Sequence, residues 1–409
     1  MSEVNLSALA ESVVENVEAK APTPMQEINS ALKECGFGWF HCRLLCASYF
    51  GFCAGILITS TVPYILPNAE CDLNMDLLHK GVLSAIPYVG MICSSAVAGF
   101  LTDTFGRKKF LVGGYALMAV FNVVSGLSQN YNVLLASKFC EGLVYSYEWY
   151  VNIWKDKNIK TIDEAPENGK TSISQQLSAG LQSVKPMFQK PYVHYLMLFC
   201  FIYFLVMMLY NIIRMWFPQL STIVEHYSSP ERQELCTMLD AYTHDQRQRN
   251  ITTVLEICVP TKSGTETYIY SMIIGCVCLL PYMLSGLLVN KVGKKVLLTG
   301  AGVISIGVTL GLRWVSSKAW VVALFASDMA IAQLMMSLMQ ATTVEFFPTT
   351  IRTLAISVTM TMGRTGSLVG NVMFPILLNM GCVVPFFTLT GLMICVTAMI
   401  LMLPKKKTV

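Results

Sequence analysis

GFLTDTFGRKKFL, residues 99–111, packs an acid, a glycine and three basic residues into the short gap between two long apolar runs, Gly81–Leu101 and Phe110–Ser128. A second copy begins 187 residues later, GLLVNKVGKKVLL at 286–298. Gly99 matches Gly286, Leu101 matches Leu288, Gly106 matches Gly293 and Lys108 matches Lys295. Arg107 becomes Lys294, and Asp103 becomes Asn290. A charged loop repeated once per half, each time after an apolar span, marks an internally duplicated helical membrane protein of the kind that carries solutes.

Composition sets the class. The chain has 409 residues, 54% hydrophobic and 13% charged, where soluble proteins carry about 25% charged residues. Apolar runs of roughly 20 residues recur, so the chain reads as an all-α polytopic membrane protein set in a lipid bilayer. The net charge of +4 makes no case for nucleic acid, because the basic residues cluster in short loops as an orientation signal. No short apolar segment opens the chain, so no cleavable signal peptide is expected. Most of the 14 cysteines lie inside apolar runs, where a thiol serves as a small core residue. The five histidines are scattered, without H-E-x-x-H, and no C-x-x-C pair stands at zinc spacing. No catalytic residue, metal or cofactor is therefore expected, and the chain does not read as an enzyme.

Along the chain, residues 1–38 form a polar cytosolic tail. Residues 39–154 form a first half of about four spans: Phe40–Leu66, Gly81–Leu101, Phe110–Ser128 and Tyr131–Val151. The fourth is a poor span. It holds Lys138, Glu141 and Glu148, each costing about 2.5–3.5 kcal/mol at mid-bilayer. Residues 155–190 are a hydrophilic cytosolic connector. The second half, 191–404, has six spans: Tyr192–Phe217, Tyr268–Val289, Val296–Trp314, Ala319–Gln340, Thr353–Leu378 and Cys382–Leu403. An extracytosolic loop at 218–267 carries a glycosylation sequon at Asn250 with Cys236 and Cys258, and 405–409 is a basic cytosolic tail. With the amino terminus in the cytosol, Arg107-Lys108-Lys109, the connector, Lys294-Lys295, Arg352 and Lys405-Lys406-Lys407 all fall inside. The sequon and the cysteine pair then fall in the oxidising space.

These residues carry a family likeness. Gly99–Lys109 resembles the signature loop after the second span of the major facilitator superfamily, and the Gly286 copy sits where that family repeats it, after the eighth span. Lys138-x-x-x-Gly142 resembles the start of a fourth-span motif, with Val144 and Ser146 in place of later glycines. Glu345–Arg352, EFFPTTIR, resembles the loop after the tenth span in the sugar and organic-ion branches. Ala31–His41 and Ile213–Leu220 resemble the synaptic vesicle glycoprotein 2 group. The resemblance implies a two-half helical bundle of twelve spans and a small organic solute moved with an ion gradient. It implies a plasma membrane or a secretory or synaptic-type vesicle as the location. The first half departs from it. Phe40 to Val151 is 112 residues, where six spans with loops need roughly 150–170. Two helices and the end of a third are missing, with the junction near Leu143, leaving about 10 spans instead of 12. Two readings follow: a transporter working by alternating access, or a non-transporting membrane glycoprotein or inactive truncated isoform of one.

The site candidates divide by depth. At the cytosolic side, Gly99, Asp103, Gly106, Arg107 and Lys108 read as a latch that bridges the halves, or more plainly as an orienting basic loop. In the second copy, Gly286, Asn290, Gly293 and Lys294, the asparagine cannot form the ion pair. Asp328 and Arg364 each lie about 15 Å deep in adjacent antiparallel spans. They read as a midplane charge pair, either a substrate or coupling site or a structural pin. Tyr203, Tyr210 and Arg214 recur at helical spacing. The resemblance puts them at a cavity; alternatively Arg214 snorkels at the boundary beside Trp216. Glu345 and Arg352 flank an inner loop and pair with the signature loop or with each other. Cys236 and Cys258 are candidates for a disulfide, with Cys71 the competing partner. Asn250 is the expected glycosylation site.

Overall fold

The computed structural model describes scattered positions between 38 and 53, then residues 60–105, 107–145, 189, 192–227, 234–251, 263–315 and 318–403. For 96–105, 107–111, 249–251, 282, 290, 318, 349, 350 and 353 it describes the backbone alone. Much of the expected first span and nearly all of the 155–190 connector lie outside the described residues. Every regular element among those described is helical, with no strand. Met1–Leu57 and Ile58–Val409 form separate compact units. The second unit holds the described helices of both expected halves.

The first half begins with a short helix α1 (Val62–Asn68), whose Pro63 sits in the first turn, where its missing N–H costs nothing. Helix α2 (Leu77–Phe105) starts at Asp76, which accepts the His79 backbone N–H at 2.7 Å as an N-cap. Burial works to raise the Asp76 carboxyl, but the His79 N–H and ring hold it below its ordinary value. Helices α3 (Arg107–Leu127) and α4 (Tyr131–Tyr145) follow. The charges that make α4 a poor span answer each other. Lys138 meets Glu141 at 2.8 Å, both side chains are buried, and Lys138 also gives to Thr61 Oγ1 at 3.2 Å. Glu148 lies outside the described residues. Helices α2 and α4 cross backbone to backbone: a methyl group on Gly142 would overlap the Pro87 carbonyl, and one on Gly90 the Phe139 carbonyl. Small residues at such a crossing are how helices associate in lipid.

The second half is built around α5 (Tyr192–Tyr227), which is buried along its length from Leu196 to Val224. An all-round apolar sequence makes it the central helix. It runs through Pro218 and past the expected end at Phe217; Thr222 Oγ1 bonds the Pro218 carbonyl at 2.8 Å. The expected 218–267 loop is not all loop. It contains the last turns of α5 and a polar helix α6 (Leu235–Ile251), whose Leu235, Met238, Leu239 and Tyr242 are buried in the main core. Helices α7 (Thr265–Val292) and α8 (Lys294–Gly311) join at Gly293, which has φ of +88°. That backbone favours glycine and explains why the repeated charged loop keeps one there. A single 3₁₀ turn, Leu312–Trp314, leads to α9 (Lys318–Phe346), α10 (Thr349–Asn379) and α11 (Val383–Met402).

Helix α10 packs most closely on α5 and then on α2, so it joins the halves. Its Gly363, Gly366 and Gly370 face α5; a methyl group on Gly366 would overlap the Phe204 carbonyl. On the α2 side, Gly81 fits against Pro375 and the Asn371 carbonyl. Among the described residues, six helices are long and apolar enough to cross a membrane: Leu77–Ser95, Tyr192–Tyr227, Thr265–Val289, Lys294–Trp314, Ala319–Phe346 and Val383–Met402. Helix α10 is longer than most of them but carries a polar face, and that face builds the site.

Candidate functional site

Arg364, Ser367 and Asn371 recur on α10 at spacings of three and four, which puts them on one helix face. Ser367 Oγ accepts the Asn211 amide of α5 at 2.7 Å, and Asn211 Oδ1 accepts the Tyr88 hydroxyl of α2 at 2.5 Å. Arg364 gives an N–H to the Met91 carbonyl of α2 at 3.3 Å. Asn371 is fully buried, and neither its amide oxygen nor its nitrogen has a hydrogen-bond partner. Each such group costs about 1–3 kcal/mol and would be satisfied by a bound polar molecule. Helices α2, α5 and α10 thus form a polar seam between the halves. Arg214 of α5 extends it, giving an N–H to Ser60 Oγ at 2.6 Å. The phenols of Tyr210, Tyr88, Tyr145 and Tyr64 lie within its electrostatic reach. Tyr203 is buried with its ring against Gly363, so it packs on α10.

The two ends of the seam differ. At one end Lys80 of α2 is fully buried and meets Glu70 at 2.7 Å and Tyr242 of α6 at 3.0 Å. Gln246 of α6 bonds the other Glu70 oxygen, and Gln219 of α5 bonds Tyr242 at 3.3 Å. At the other end Lys294 pairs with Glu345 at 2.5 Å, with Glu345 52% exposed. Lys295 bonds the Leu401 carbonyl at 2.7 Å, and Arg352 Nε bonds the Phe347 carbonyl at 3.3 Å. Of the two partners expected for Glu345, the structure brings the second-copy lysine.

Two expected pairings are corrected. Asp328 and Arg364 do not pair. Asp328 of α9 is buried against α8, accepting from Ser305 Oγ at 2.6 Å and Thr309 Oγ1 at 3.1 Å, while Arg364 turns toward α2. Equal depth in neighbouring helices does not fix the direction in which each side chain points. Cys236 is bonded to Cys382, not to Cys258. The polar α6 folds back so that its first turn reaches the start of α11, and the Cys382 N–H also bonds Asp240 at 2.9 Å. Cys71 is disulfide-bonded as well. Cys258, Gly106 and the side chains of Asp103, Arg107, Lys108, Asn250 and Asn290 lie outside the described residues, and Gly99 and Gly286 occupy helical positions.

Residues 45–152 match the family model of the Major Facilitator Superfamily. Over 89% of this chain the backbone follows a crystal structure of a D-xylose–proton symporter, with TM-score 0.57, 99% of that chain covered and 11% identity. This chain shares the fold of that symporter, and its long apolar helices make it a multi-pass membrane protein. It also resembles synaptic vesicle glycoprotein 2B of Rattus norvegicus, at 31% identity over 29% of this chain and 17% of that protein. Synaptic vesicle glycoprotein 2A of Homo sapiens is 30% identical over 29% of this chain and 16% of its own length. The matched region is thus under one fifth of each of these two relatives.

Sequence reasoning passed over Tyr88, Ser367 and Asn371. For Ser367 and Asn371 the signal was present: with Arg364 they recur at spacings of three and four on one helix. It also passed over Lys80, which looked like a span boundary. A distinct cleft between α5, α7 and α9, lined by Phe217, Glu225, Glu266 and Tyr270, stays within the second half and is away from the seam.

Proposed function

We propose that this chain is a secondary transporter. It moves a small organic solute across the bilayer by alternating access between a first half, 39–154, and a second half, 191–404, driven by an ion gradient. The seam is the observation that carries this reading. Polar groups from α2 on one side and from α5 and α10 on the other meet where the halves join, and Asn371 waits unpaired among them. Helix packing in lipid needs no such groups, and their cost there calls for a function. The disulfide between Cys236 and Cys382 belongs in an oxidising space. This supports placing the Lys80 end outside, with Asn250 glycosylated there, and the Asp103 and Lys294 loops in the cytosol as inner gate. The membrane is the plasma membrane or a secretory or synaptic-type vesicle.

A second reading has one observation behind it, the short first half between Phe40 and Val151. A half lacking two helices favours a non-transporting membrane glycoprotein or an inactive isoform. Uptake of a labelled organic solute panel into proteoliposomes separates the two. Accumulation by the chain as it stands supports the transporter. Accumulation only after two spans are restored near Leu143 supports the inactive form.

A further inference from the structure

Arg214 stands apart from the other membrane charges. Lys80 has Glu70, Lys138 has Glu141 and Asp328 has two hydroxyls. Among the described residues Arg214 has one hydrogen bond, to Ser60 Oγ, and no carboxylate pairs with it. The side chain is half-buried. The groups within electrostatic reach come from four helices: Tyr64 of α1, Tyr88 of α2, Tyr145 of α4 and Tyr210 of α5. All are neutral phenols. Three of the four helices belong to the first half and one to the second, so the cluster sits across the seam.

A guanidinium inside a membrane protein calls for an anion. Its fork has five N–H donors, and the Ser60 bond uses one. The rest suit a carboxylate held by two parallel bonds. Tyr88 already gives its O–H to Asn211, so Tyr64 and Tyr210 offer O–H donors for the outer lone pairs, and the rings offer flat walls for an apolar body. An organic cation would meet an uncompensated like charge here, and a neutral solute would leave the guanidinium unpaired. We propose that the Arg214 cluster is an anion subsite, and that the solute is a small aromatic or apolar carboxylate. This names the solute class of the transporter reading and rests on it.

The test is thermal unfolding of the purified full-length chain with sodium benzoate, neutral benzamide and benzylammonium as matched probes. Benzoate should stabilise the protein saturably, and the other two should not. Arg214→Gln should weaken benzoate roughly 10- to 100-fold, the value of a charge-assisted bidentate contact, and Arg214→Lys by about tenfold, since it keeps charge without the fork. Equal stabilisation by benzamide or benzylammonium overturns the proposal, as does unchanged benzoate affinity in Arg214→Gln. Tyr210→Phe covers the case in which Arg214→Gln does not fold: it should weaken benzoate several-fold, and unchanged benzoate affinity in this variant overturns the assignment. Uptake of labelled benzoate into proteoliposomes separates the two readings. Arg214-dependent binding without uptake leaves the subsite standing and sinks the transporter. Uptake that ignores Arg214 leaves the transporter and sinks the subsite.

Discussion

The two ends of the molecule hold charge in opposite ways. At the Lys80 end the ion pair is buried, with its side chains 0% and 4% exposed, and it ties α2 of the first half to α6 of the second. Tyr64 stacks on Tyr268 and Asn68 accepts the Ser263 N–H at the same end. At the Lys294 end the pair is open to solvent and joins two helices of one half. One end fastens the halves to each other; the other fastens the second half to itself. A molecule that opens alternately to two sides needs such an asymmetry in any one state. Under the proposed alternating access, the closed end is the one built from buried partners.

The largest effect should come from Lys80→Ala. It leaves Glu70 buried without its cation, at a cost of about 3–5 kcal/mol, read as a loss of folded protein in thermal unfolding. Adding Glu70→Met should recover most of that loss, and failure to recover would show that Lys80 matters beyond its charge. Cys382→Ser comes next. It frees α6 from α11 and should cost about 2–4 kcal/mol, visible as a lower unfolding temperature than wild type under oxidising conditions. Gly366→Val presses into the Phe204 carbonyl and should cost about 1–3 kcal/mol by overpacking, with loss of the α5–α10 contact. Lys294→Gln should cost under about 1 kcal/mol, because the pair is exposed and screened. If Lys294→Gln destabilises as much as Lys80→Ala, the contrast between the ends is wrong.

The repeated charged loop was enough to read the class and the duplication, because the glycine of its second copy answers to a tight backbone turn between two helices. Gly293 shows this directly through its positive φ. Long apolar helices were also legible: Lys294–Gly311 lies within a few residues of the run read from composition. Helix α6 was not legible. Its apolar residues Leu235, Met238, Leu239 and Tyr242 recur at helical spacing, but they sit in a short charged stretch, and its stability comes from a disulfide and buried contacts made by chain far away. The Asp328–Arg364 pairing failed for a related reason. Sequence gives the depth of a residue in a span, but its direction around the helix depends on which neighbour packs there. The seam lay between these cases: the stripe Arg364, Ser367, Asn371 is visible in the sequence, while its partners Tyr88 and Asn211 required the fold.

The central claim is that the halves part at the buried end. Pulsed spin-label distances between Leu78 at the start of α2 and Thr237 on α6, both exposed, test it most directly once the exposed native cysteines are replaced. Alternating access requires two distance populations in the wild-type chain, with Lys80→Gln shifting weight to the longer one. A single distance, unchanged by Lys80→Gln, would contradict it.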